Sequence, residues 1–97
     1  MTRAEVLKTL RHHKNEINKR FNADAIGLFG SYVENEQDEL SDIDIIVNFR
    51  KGHKDLFNFL NLKFYLEDLL DKKVDLVSKD GIKPALKQRI MKQVKYV

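Results

Sequence analysis

Two aspartates one residue apart, Asp42 and Asp44, lead into the apolar run Ile45-Ile46-Val47, and this leaves the chain little choice of local structure. A short apolar run bounded by polar residues reads as a buried strand. Side chains alternate along a strand, so Asp42 and Asp44 point one way while Ile43, Ile45 and Val47 point the other. Two carboxylates are then held side by side, about 7 Å apart, at one end of a strand whose opposite face is apolar. Like charges in a half-buried place are costly unless something cationic sits between them, and a divalent metal is the natural candidate.

The flanking sequence supplies the rest of an expected site. Ala25-Ile26-Gly27-Leu28-Phe29 reads as a short, central strand without charge, ended by Gly30-Ser31. Ser31 to about Glu36 is expected to form one helical turn. Its backbone N–H groups, with no side chain on Gly30 to obstruct them, would let phosphate oxygens approach closely. Gln37 to Ser41 reads as a polar loop with Ser41 as a turn residue, and the second strand runs from Asp42 to about Phe49. A third strand, Val74 to Val77, carries Asp75 alone among apolar neighbours. Three carboxylates on adjacent strands make an oxygen-only site suited to a hard cation.

Helices are expected around these strands. Thr2 and Glu5 form a plausible capping box opening a helix to about Arg20, whose stripe of Val6, Leu10, Ile17 and Phe21 should face the core. His13 near that stripe reads as a histidine at the edge of a packed face, and His12 and His53 lie at no metal-ligand spacing. Asp55 is a good N-cap for a helix to about Asp71. On it, Phe59, Leu62, Leu66, Leu69 and Leu70 form a core arc. Phe57, Leu60 and Phe64 form a second arc, either buried or presented to a partner or another copy of the chain. After an Asp80-Gly81 turn, Pro84 opens a last helix with a core stripe of Leu86, Ile90 and Val94 and a solvated spread of Lys83, Lys87, Arg89, Lys92 and Lys95. The expected fold class is α/β (α+β): a small mixed sheet of three to four strands flanked by helices.

At 97 residues, with 42% hydrophobic content, the chain fits one domain, residues 1–97, with a single core. No apolar run is long enough to span a membrane and the first residues lack a signal peptide's apolar segment, so a cytoplasmic protein is expected. Without cysteine there is no disulfide, thiolate site or cysteine nucleophile. The net charge of +3 is unevenly spread. Glu34, Glu36, Asp38, Glu39, Asp42 and Asp44 occur with no intervening base, whereas lysine and arginine dominate from Lys72 onward. Nucleic acid is not favoured as a partner by so modest a charge with few aromatics.

Gly-Ser followed after ten residues by Asp-x-Asp, with a third aspartate in Val74-Asp75-Leu76-Val77, resembles the signature of the polymerase-beta type nucleotidyltransferase superfamily. At this length the chain is similar to the minimal nucleotidyltransferase (MNT) antitoxins. The resemblance implies a nucleotidyltransferase palm core that uses ATP as substrate with two magnesium ions, manganese being a substitute. It assigns Asp42 and Asp44 to hold both ions, Asp75 to complete the site on the acceptor side, and Gly30 and Ser31 to cradle the β- and γ-phosphates. It also implies a partner, a HEPN-type ribonuclease toxin neutralised by transfer of AMP to a tyrosine hydroxyl. One departure stands out. The family's motif often continues Gly-Ser-x-Ala-Arg-Gly, and here Val33, Glu34 and Asn35 occupy the last three positions. Either Arg50, Lys51 or a partner then supplies the missing positive charge, or affinity for the triphosphate is reduced. Two other functions fit the same chain: an antitoxin acting by surface contact alone, which would be expected to have lost a motif carboxylate, and a nucleic-acid binder using the basic last helix.

Overall fold

The computed structural model describes residues 1–97. In chain order the elements are α1 (Arg3–His12), α2 (Lys14–Phe21), β1 (Ala23–Phe29), β2 (Ile43–Phe49), α3 (Leu56–Leu70), β3 (Val74–Ser78), α4 (Pro84–Gln93) and β4 (Lys95–Tyr96). Single 3₁₀ turns follow β1 at Gly30–Tyr32 and β3 at Lys79–Gly81. The strands form one mixed sheet in the order β3-β2-β1-β4, with β2 and β3 parallel and the other pairs antiparallel. The expected fold class holds, with β1 interior as anticipated and β4 as the fourth strand.

Alternation along the strands sorts the molecule into two faces. Ile43, Ile45, Val47 and Phe49 of β2, Ile26 and Leu28 of β1, and Val74 and Leu76 of β3 join one buried cluster. Val6, Leu10, Ile17 and Phe21 of α1 and α2, with Leu62, Leu66 and Leu70 of α3, complete it. The other face is thinner: Phe29 and Ile46 meet Ile90 of α4, with Val77, Ile82, Met91 and Val94 packed alongside. Asp44 and Asp75 share their strand parity with Ile46 and Val77, which places them on this thinly covered face.

Several expectations need correction. The first helix is two helices, broken at His13, whose φ of −102° and ψ of 6° lie outside the helical basin. The His13 ring Nδ1 lies 2.9 Å from the Thr9 carbonyl. That carbonyl also receives the His13 backbone N–H, which is shared with Leu10 O at 3.2 Å each, so the turn tightens and a new helix starts when Ile17 N–H donates to His13 O. The capping box at Thr2 and Glu5 is present in full. Strand β1 begins two residues early, at Ala23, through a bulge before Ala25. Strand β2 begins at Ile43, one residue after Asp42. In the last helix Ile90 is buried, but Leu86 is 49% exposed because α4 covers the sheet only along its C-terminal half. Of the second arc on α3, Phe57 and Phe64 lie outside, at 78% and 55% exposure, while Leu60 between them is half-buried, so its two phenylalanines are surface and not core.

Candidate active site

The carboxylates and the glycine turn meet because β1 ends where β2 begins. In the antiparallel register Phe29 pairs with Asp44, and in the parallel register Asp44 pairs with Asp75. Asp44 therefore sits between two neighbouring strands and is half-buried, whereas Asp42 and Asp75 are exposed. Burial, chiefly, and then the charge and hydrogen bond of Asp75, with the charge of Asp42, push the Asp44 carboxyl up to about 6. No basic side chain compensates the pair, since the two ion pairs of the chain, Arg20–Glu16 and Arg50–Asp24, lie elsewhere.

Two of the three predicted carboxylates come together, and the third stands beside them. Asp44 and Asp75 interact directly, while Asp42 precedes the strand, and no three ligating side chains form a ready-made cage. The donor set nonetheless fits a divalent hard cation: carboxylate oxygens only, an uncompensated negative charge, and one carboxyl pushed toward protonation by burial and then by its acidic neighbours.

Gly30 lies against this group with φ +76°, a backbone conformation that side chains resist. A Cβ there would overlap the Asp44 carboxylate, reaching 2.8 Å from its Cγ and closer still to Oδ2. Glycine is thus required twice, by its dihedral and by the carboxylate. The 3₁₀ turn follows, with Val33 and Glu34 N–H donating to Gly30 O, and Tyr32 drops into the helical core at 1% exposure. Ser31, half-buried, stays at the surface between them.

The Gly30 N–H itself is already engaged. That group donates to Gln93 Oε1 at 2.6 Å, across 63 positions of sequence. Arg50 and Lys51 are also misplaced for the role offered to them: they follow the far end of β2, about 20 Å from Asp44 along the strand. Arg50 is engaged by Asp24 there at 3.1 Å. The guanidinium that does reach this loop is Arg3, whose Nη1 donates to Val33 O at 2.9 Å, beside Glu34. The acidic approach to Asp42 is braced as well. Asp38 Oδ1 accepts from Leu40 N–H at 2.8 Å, Ser41 Oγ accepts from Asp38 N–H at 3.0 Å, and Lys72 Nζ donates to the carbonyls of Glu39 and Ser41. Ser41 is thus a turn residue, as expected. Gln93, Arg3 and Lys72 had no signal in the sequence beyond polarity near a helix end.

Comparison with known proteins agrees with this geometry. The family described as Polymerase beta, Nucleotidyltransferase matches residues 12–97. Protein adenylyltransferase MntA of Thermococcus cleftensis is 41% identical over 97 residues, covering 100% of this chain and 97% of its own. A solved structure provisionally named a minimal nucleotidyltransferase superposes with a TM-score of 0.83 at 33% identity, covering 98% of this chain and 95% of the other. The tri-AMPylated Shewanella oneidensis HEPN toxin in complex with MNT antitoxin contains a chain that superposes with a TM-score of 0.61 at 32% identity, covering 89% of this chain and 69% of that one. With its sheet order, glycine turn and paired aspartates in place, the chain belongs to the polymerase beta nucleotidyltransferase family.

Proposed function

We propose that this chain is a protein adenylyltransferase that transfers AMP from ATP to a tyrosine hydroxyl of a HEPN-type toxin and so neutralises it. The observation that carries the reading is the uncompensated Asp44–Asp75 pair set against the Gly30 turn. The name of the Thermococcus relative supports adenylyl transfer, and the AMPylated toxin in the Shewanella complex supports the acceptor class. Two magnesium ions, held by Asp42, Asp44 and Asp75, would supply Lewis-acid neutralisation of the phosphoryl oxygens when bound.

In this reading Ser31 and the turn after Gly30 hold the β- and γ-phosphates against the sheet end. Asp75, exposed on the outer strand, faces the acceptor and receives the hydroxyl proton. The hydroxyl oxygen bonds to the α-phosphorus, the bond from that phosphorus to the bridging oxygen breaks, and pyrophosphate leaves with the electron pair. Holding two anionic reactants in line is most of the task. The carboxylates lie at an open end of the strands, so the partner completes the enclosure around the acceptor.

Incubating the chain with ATP, magnesium and its HEPN-type partner should leave one or more AMP units on a partner tyrosine by mass spectrometry. Unmodified partner after prolonged incubation with active protein would contradict the proposal.

A further inference from the structure

The hydrogen bond between Gln93 and Gly30 joins the last turn of α4 to the glycine turn, and both of its ends are fixed. After Gln93 the chain leaves the helix at Val94 (φ −62°, ψ 138°) and pairs along β1, with Gly27 opposite Tyr96 and Leu28 opposite Lys95. Val97 N–H donates to Ile26 O at 3.1 Å. Gly27 permits this close seating, since a Cβ there would lie 2.8 Å from Val94 Cγ2 and 3.2 Å from Lys95 O. Gln93 is therefore held at a rigid junction between a helix and a strand. Gly30 is confined from two directions, by the Gln93 oxygen on its N–H and by the Asp44 carboxylate where a side chain would be.

We infer that Gln93 is a positioning residue for the nucleotide site: by accepting the Gly30 N–H it sets the spacing between the Gly30-Ser31 turn and the Asp44–Asp75 pair. The inference rests on the reading of that turn as the phosphate cradle. An N–H donor requires an oxygen opposite it, so the orientation of the Gln93 amide is determined by the contact. A neutral acceptor suits the place. A carboxylate would bind the N–H more strongly but would add a third negative charge near Asp44 and the incoming phosphates.

The test uses the full chain labelled with ¹⁵N, titrated with MgATP while the Gly30 and Ser31 amides are followed by NMR. Gln93→Met preserves length and removes the acceptor; Gln93→Glu preserves the acceptor and adds charge. In Gln93→Met the Gly30 amide proton should move upfield and exchange faster, and the Kd for MgATP should rise about 5- to 10-fold. In Gln93→Glu the Gly30 amide should stay hydrogen-bonded while Kd rises, the rise shrinking as salt is added. Should Gln93→Met fail to fold, the Gln93→Glu pattern decides alone. A Gly30 amide indifferent to Gln93→Met, or a displaced amide with MgATP affinity within about twofold of the parent, overturns the inference. A salt-independent Kd in Gln93→Glu does the same. A parent chain whose turn does not respond to MgATP at all overturns the reading of the site as well, which separates the two failures.

Discussion

Asp44 carries its charge at a disadvantage that no basic side chain in the fold relieves. Burial, and then the charges of Asp75 and Asp42, push its carboxyl up to about 6 from an ordinary 3.8. A raised acid contributes stability that is whole below its unfolded value and is lost as pH rises through its folded value. In metal-free buffer the melting temperature of Asp44→Asn should therefore exceed the parent's by a margin that opens between about pH 4 and 6 and stays level above. A pH-independent margin would show that Asp44 titrates normally. Magnesium above pH 7 should raise the parent's melting temperature and not the variant's. Gly30→Ala should cost about 1–3 kcal/mol in denaturant unfolding, from its positive φ and from the carboxylate in its path. A neutral Gly30→Ala would mean that the turn can rebuild itself. At this scale the carboxylates were legible because a two-residue period and a fixed spacing mark them. Gln93 and Arg3 were not, because each acts on a backbone group far away in sequence and leaves no local pattern.

Helix α3 shows what amphipathic pattern can and cannot tell. Its Asp55 cap, with Oδ1 accepting from Asn58 N–H at 2.8 Å, and its buried Leu62, Leu66 and Leu70 follow from the sequence. The second arc was ambiguous there because periodicity gives a direction on the helix but not what covers it. The fold leaves Phe57 and Phe64 exposed. Leu66→Ala should thus cost about 2–5 kcal/mol, while Phe57→Asp should change unfolding free energy by no more than about 0.5 kcal/mol. A large cost for Phe57→Asp would place that arc in a core after all. The break at His13 escaped prediction for another reason: the buried stripe continues across it from Leu10 to Ile17, so hydrophobic pattern alone reads as one helix. Two-residue β4 is too short to carry an alternation signal.

The molecule as a whole divides its labour between the two faces of one sheet. Three helices bury one face, and a single helix covers part of the other, leaving the carboxylates and the glycine turn at an open end of the strands. That arrangement suits a minimal nucleotidyltransferase whose acceptor is another protein, because the partner then supplies the missing wall. The most direct measurement is turnover on the HEPN-type partner, with this chain at a small fraction of the partner's concentration in the presence of ATP and magnesium. The account predicts that excess partner becomes inactive and carries AMP on a tyrosine, and that Asp44→Asn binds the partner yet modifies it slower by orders of magnitude. Stoichiometric, ATP-independent inhibition that Asp44→Asn performs equally well would contradict it.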